Sequence, residues 1–407
     1  MFGSGRVAEG LLAAAWILTV ATGICAGESK RPDEMLQSFE KALLTRSDDP
    51  RPLLDLAQAL LQALRTSRDA RDAARAEALI QRALTLAPRD FRAWALKAWD
   101  EMNRHQFREA LVSVRQAHGL GVPSALTLGL ESDALVELGR YDDALAVTQK
   151  LLDVFPGLPA YSRAAHLRFL HGDIEGAVGL LNESLAMAPP GSEAHAWAFV
   201  QLAELHLNGG QIERAENALA RAETLFPGRP DYAVLRARVR EAQGKPGEAL
   251  ALLQETVDRY PSPDYAVTAW RLARSLGDHE AMRRLALLLD GMARLDEAGD
   301  KVFRRAFAEY YALRGNQYGE AERLAREECL RRPDIYSHAL LAFVLRQAGK
   351  YREANRHRQA ALRLGTRDRR LEWWVRPPLA PRPGTVTPNG SRAAGEGIAP
   401  FKPEGAP

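Results

Sequence analysis

Cysteine is nearly missing from this chain of 407 residues: there are two, Cys25 and Cys329. A disulfide framework is therefore excluded, as are zinc sites built from paired Cys spacings. Lysine is scarce as well, with eight residues against 47 arginines. Charge of one sign is lacking, since the net charge is +3 and no basic cluster stands out. That argues against a dedicated nucleic-acid binder. Aromatic residues make up only 7%. Long apolar runs are absent after residue 26. Catalytic signatures are lacking too: there is no Gly-x4-Gly-Lys-Ser/Thr loop, no Gly-x-Gly-x-x-Gly, no His-Glu-x-x-His and no Gly-x-Ser-x-Gly. The nine histidines are scattered, and His166 and His171, five residues apart, fall on different faces of a helix. No cofactor, no metal and no small-molecule substrate are expected, and no enzyme.

What is present is enough apolar sequence, 46%, to bury a large core. The first 26 residues read as an address. Arg6 precedes an apolar run from Leu11 to about Cys25, and small residues follow at Gly23, Ala26 and Gly27. This is the order of a secretory signal peptide cleaved after Ala26. A short membrane anchor is an alternative, although the run falls below the ~20 residues that span a bilayer. A lipoprotein acceptor at Cys25 is another, but Ile24 is bulky where that pattern has a small residue. The expected location is periplasmic or secreted, or inner-membrane anchored and facing the periplasm. Membrane contact is expected only if the segment is uncleaved.

The middle of the chain repeats one pattern: Gly, any residue, a larger residue, two more, then Ala. It reads Gly139-Arg-Tyr141-Asp-Asp-Ala144, Gly172-Asp-Ile174-Glu-Gly-Ala177 and Gly210-Gln-Ile212-Glu-Arg-Ala215. It recurs as Gly244-Lys-Pro246-Gly-Glu-Ala249 and Gly349-Lys-Tyr351-Arg-Glu-Ala354, with weaker copies starting at His105, Gly277 and Asn316. With a degenerate copy at Ala76, the marker falls at 76, 110, 144, 177, 215, 249, 282, 321 and 354. Proline often follows the second half, at 88, 156, 189, 227, 261 and 333. Each feature has a physical reason. Both halves carry apolar residues at helical period, so both are amphipathic helices. Glycine lets the backbone turn between them. A small alanine lets two helices approach closely, and proline stops the second. One pair cannot bury its own apolar face, so neighbours must stack.

This period and residue set resemble the tetratricopeptide repeat family, in particular secreted bacterial members with no assigned role. The resemblance covers residues 57–366 as about nine units. It implies an all-α, right-handed superhelical solenoid of antiparallel helix pairs. Flanking it are an N-terminal capping region over 33–56 and a C-terminal cap over 367–375, the latter around Trp373 and Trp374. Residues 376–407 hold eight Pro and five Gly and read as a disordered tail.

The resemblance also implies a concave groove lined by the first helices, taking a partner protein or peptide. Aligned on the marker, the inward positions for partner binding are Trp99, Asn103, Arg163, His166, Trp197, Gln201, Glu204, Asn208, Arg271 and Arg274. Asp133, Glu137, Phe169, Tyr310 and Tyr336 share that lining. A carboxylate-clamp member is unlike this chain, because Trp99, Asp133, His166 and Glu204 stand where such clamps need Lys and Asn. The inward charge is expected to be split, acidic at Asp133 and Glu137 and basic from Arg271 onward. The expected function is an exported interaction scaffold. The alternative is a structural subunit of an envelope assembly, contacted by its convex face or ends.

Overall fold

The computed structural model describes residues 49–67, 70–299 and 301–375; the proposed signal, the segment 33–48 and the Pro/Gly-rich tail lie outside them. Among the described residues there are helices and turns only, and the nineteen helices form nine consecutive pairs and one short last helix. The first pair is α1 (Pro50–Ser67) with α2 (Ala70–Leu86). Then come α3 (Phe91–Asn103) with α4 (Phe107–Leu120), α5 (Ala125–Glu137) with α6 (Tyr141–Val154), and α7 (Leu158–Leu170) with α8 (Ile174–Met187). The array continues with α9 (Glu193–Asn208) and α10 (Ile212–Leu225), α11 (Pro230–Ala242) and α12 (Pro246–Arg259), and α13 (Pro263–Leu276) and α14 (His279–Ala298). It ends with α15 (Arg304–Arg314) and α16 (Tyr318–Arg331), α17 (Ile335–Gln347) and α18 (Tyr351–Leu362), and a short α19 (Arg369–Val375). The helices of each pair pack on one another, and each pair packs on the next. The fold is the expected all-α solenoid. No helix among the described residues is long and apolar enough to cross a membrane.

The punctuation acts as its chemistry requires. The second helices before Pro88, Pro156, Pro189, Pro227, Pro261 and Pro333 all stop two residues before the proline. The residue preceding proline is pushed out of the helical region, so the helix must end there. Between the helices of a pair, Gly139, Gly172, Gly210, Gly244, Gly277 and Gly349 all take φ between 67° and 80°. That left-handed conformation is open to glycine and costly to residues with a Cβ. In the weak second copy His105 takes the same role at φ 59°. In the eighth, Gly315 takes it at φ 84°, one residue before the aligned Asn316.

The alanine markers at 76, 110, 144, 177, 215, 249 and 321 are fully buried at 0% exposure, which is what a close helix crossing needs. Met282 replaces alanine in the seventh pair and is half-buried. The two long spacings have different origins. The excess before Ala215 is the turn at 188–192 plus a longer α9, whereas the excess before Ala321 is mainly the 20-residue α14.

One boundary differs from expectation. Residues 50–56, assigned to the cap region, are the first turns of α1. Asp49-Pro50 looks like a stop after a preceding helix but works as a start. The Asp49 carboxylate accepts from the Arg51 amide, and Pro50 occupies the first helical position. Proline is well suited there, because its missing N–H would have no intrahelical partner.

A bare solenoid touches only its neighbours. This one does more. The Ile335 amide donates to the Tyr141 hydroxyl (3.0 Å), and the Arg332 guanidinium reaches the Glu137 carboxylate (3.2 Å). The Thr366 hydroxyl donates to the Phe169 carbonyl, and the Arg369 amide to the Asn208 side-chain oxygen (3.1 Å). Arg363 donates to the Gly139 carbonyl and stacks over Tyr141. The connections following α16 and α18 thus rest on the turns of the third, fourth and fifth pairs. The superhelix completes a turn and closes on itself.

Candidate functional site

Closure changes what the concave face can offer. Asp133 and Arg163, on neighbouring first helices, form a two-pronged ion pair at 2.6 and 2.9 Å, both 6% exposed. Burial still pushes the Asp133 carboxyl up, to about 6, against the pull of Arg163. Glu137 is buried beside Arg332, and desolvation raises its carboxyl to about 7. Arg332 also binds Glu328 at 2.6 Å, and Glu328 is held well below the usual carboxylate range by Arg332, Arg331 and Arg305. The two acidic positions of the expected inward charge are therefore both paired. Asp133 is met by Arg163 on the next first helix, and Glu137 by Arg332 where the superhelix closes.

Inside the closed turn a cavity of about 180 Å³ remains. From the expected lining it takes His166, Phe169, Glu204, Asn208, Arg271 and Tyr336. To these it adds Arg238, Arg305, Glu309, Arg370 and Trp374, which come from later first helices and from α19. The polar lining is mostly paired. Arg238 binds Glu204 at 2.8 Å, and Arg370 binds Asp368 at 2.9 Å. Asp368 also accepts the Tyr336 hydroxyl at 2.9 Å and is lowered to about 2, Arg370 being the chief cause. Arg271 lies 4.8 Å over the Trp373 ring, and its guanidinium stands 3.6 Å from Glu309. Glu309 is itself raised by burial. Desolvation pushes the His166 imidazole down to about 3, so it is neutral at physiological pH.

The ten inward positions separate into three groups. His166, Glu204, Asn208 and Arg271 line the cavity. Trp99, Arg163, Trp197 and Gln201 are buried among helices, and Asn103 is half-buried. Arg274 lies outside the cavity and is exposed, with its guanidinium on the Leu313 carbonyl and 5.8 Å over the Trp270 ring. An open groove running past all ten is thus not what the chain builds. The reason is steric: residues 332–336 and 363–375 occupy the space that such a groove needs. Arg238 shares the repeat register of Glu204 and Arg271, 34 and 33 residues away, so alignment on the marker could have found it, whereas Arg370 lies past the last pair and is placed by the segment that closes the superhelix.

A cavity of this volume falls below the about 300–1,000 Å³ of small-molecule and cofactor sites. Its aromatic floor and paired charges could hold a few side chains or a chain end.

Comparison with known proteins agrees with the fold. Two family models described as tetratricopeptide repeat match residues 168–239 and 130–192. No curated protein sequence matches. Among solved structures, the human IFIT1 dimer with PPP-AAAA is 17% identical, covers 81% of this chain and 78% of that one, and superposes with a TM-score of 0.54. The APC/C hetero-tetramer Cut9-Hcn1 is 16% identical, covers 91% of this chain and 69% of that one, with a TM-score of 0.50. PilW, a type IV pilus biogenesis factor, is 22% identical, covers 50% of this chain and 92% of that one, with a TM-score of 0.41. At these identities the likeness is one of fold.

Proposed function

Starting from the premise that this chain is a tetratricopeptide-repeat protein, we propose that it is an exported protein-interaction scaffold. It takes a short segment of a partner protein in the cavity between its middle and late repeats. The observation that carries this reading is the cavity itself. It is the part of the concave face that residues 332–336 and 363–375 leave uncovered, and aromatic side chains and arginines converge on it. Such residues dominate binding energy when partly desolvated. A volume of about 180 Å³ suits two or three side chains, not a long peptide laid along a groove. Export rests on the order of Arg6, the apolar run to Cys25 and the small residues to Gly27.

The test is crosslinking with mass spectrometry in an envelope extract of the host, using the chain and a Thr268→Trp variant. Thr268 lines the cavity, and tryptophan there fills it. The expected result is one dominant partner crosslinked near the cavity and lost in the variant. Equal capture by the variant would defeat the reading.

One observation favours a second reading, the structural subunit. Helix α14 is the longest, and it leaves Leu287 77% and Leu295 75% exposed, eight residues apart on one face. Replacing both with aspartate separates the two readings. Loss of the partner there, with Thr268→Trp neutral, would place contacts on the outside of the array.

A further inference from the structure

The cysteine and two histidines that look unremarkable in the sequence meet in space. Cys329 near the end of α16, His338 in the first turn of α17 and His357 in the middle of α18 come from three consecutive helices. The Cys329 Sγ is 3.3 Å from the His338 Nδ1, and that nitrogen is 3.0 Å from the His357 Nδ1. All three donor atoms lie within 4.8 Å of one another, and all three residues are partly buried. We propose that Cys329, His338 and His357 bind one divalent transition-metal ion of the zinc class, which staples the last two repeats together.

The geometry is that of a ligand set. With Zn–S near 2.3 Å and Zn–N near 2.0–2.1 Å, donor atoms around a tetrahedral zinc sit about 3.3–3.6 Å apart. The spacings to the His338 nitrogen need shifts of only a few tenths of an ångström, and Cys329 and His357, within 4.8 Å of each other, close by about 1 Å at most. Two facing Nδ1 atoms can share only one proton, and the thiol approaches the same nitrogen. A cation replaces that crowded arrangement by three coordinate bonds. Thiolate with imidazole is a donor set that zinc favours over calcium or magnesium. Three protein ligands leave the fourth position for water or a partner's side chain.

Burial keeps the metal-free groups neutral: the thiol is pushed up to about 11 and both imidazoles are pushed down. On binding, the Cys329 S–H bond breaks, the sulfur–metal bond forms and the proton goes to solvent. Glu353, one helical turn before His357, is held by Arg326 at 2.7 Å, and Asp334 also lies near the thiol.

The site was invisible to motif spacing because its ligands are nine and nineteen residues apart. They belong to the two repeats whose connection, Arg332 to Asp334, makes the closure contacts. An ion there would rigidify the closing end of the superhelix.

The experiment uses the full chain, stripped by chelator and titrated with Co(II). The expected result is a thiolate-to-cobalt charge-transfer band that saturates at one equivalent and is displaced by Zn(II). Cys329→Ser should abolish the band. His357→Gln should weaken binding by more than the roughly 10–100-fold typical of losing an outer-shell partner. Cys25→Ser should leave the band unchanged. Circular dichroism checks that each variant is folded, and the half-buried His357 keeps the test usable if Cys329→Ser misfolds. The proposal is overturned if the folded wild type shows no band, if the band survives in folded Cys329→Ser, or if His357→Gln binds as tightly as wild type.

Discussion

At the residue scale, the turn glycines divide by what surrounds them. Gly139 and Gly244 share the left-handed backbone, at φ 67° and 76°. Around Gly244 nothing lies within 4 Å of where a Cβ would stand, whereas at Gly139 a Cβ would overlap the Pro333 carbonyl oxygen. Gly244→Ala should therefore cost only the backbone term, about 1–2 kcal/mol. Gly139→Ala should cost that plus an overpacking penalty of about 1–3 kcal/mol, or release the 332–335 connection. Chemical denaturation of the two variants side by side measures the difference, and equal losses would mean that closure adds nothing at Gly139.

His105 offers a pH test at the same scale. It is fully buried, and desolvation first, then Arg332, lowers its imidazole from the usual 6.5 to about 3. As pH falls, the unfolded chain takes up this proton first. The contribution of His105 is intact above pH 6.5 and is lost progressively down to pH 3. Between pH 7 and 4.5 the loss should amount to about 2–3 kcal/mol. Asp100, Asp133 and Glu137 have raised pKa values and act in the opposite direction over the same window, so the whole-protein curve is flatter. His105→Asn isolates the effect, because asparagine tolerates the left-handed φ. The variant's pH profile should lose that acid slope; parallel profiles would show that folding leaves the pKa of His105 unshifted.

At the element scale, helix pairing is set by small residues and by buried charge. Ala215, at 0% exposure, sits where α9 and α10 cross. Ala215→Leu should cost about 1–3 kcal/mol through overpacking, and an unchanged unfolding midpoint would refute the register. Arg163 ties α7 to α5 through Asp133. Arg163→Met leaves a buried carboxylate unpaired and should cost about 3–5 kcal/mol, whereas Arg163→Met with Asp133→Leu should recover most of that. If the double variant is as unstable as the single, the pair is not the source. These elements were legible in the sequence. The Gly–Ala marker and the prolines report local backbone and local crossing, and both depend on nearest neighbours alone. Arg163 was legible as inward-facing, but its bond to Asp133, thirty residues away on the preceding first helix, was not.

At the scale of the whole molecule, the feature that governs function is the one that local patterns cannot carry. Arg332, Arg363 and Asp368 read in sequence as ordinary solvated charges of an arginine-rich chain. In the fold, Arg332 is 1% and Asp368 0% exposed, and Arg363 bridges to Gly139 across 224 residues. Arg332 and Arg363 have their meaning only once the superhelix has completed a turn, and Asp368 holds Tyr336 and Arg370 in the segment that closes it. The same closure decides that His166, Glu204, Asn208 and Arg271 border a cavity while Trp99 and Gln201 do not. It also alters the energetics. In an open array, stability is a sum over neighbouring repeats and the two ends do not communicate. Here the ninth pair supports the turns of the third, fourth and fifth. A chain ending at Leu362 lacks Thr366 and Arg369, which bond to Phe169 and Asn208, and it lacks α19 with Trp374. Its helices should remain, since each still packs on its pair. Small-angle scattering should show a larger radius of gyration, and amide exchange should quicken at the turns around Gly172 and Gly210, far from the cut, but not around Gly244. Partner capture should weaken with it, because one wall of the cavity is gone. Unchanged dimensions together with unchanged exchange at Gly172 would mean that the array holds its curvature without the closing segment.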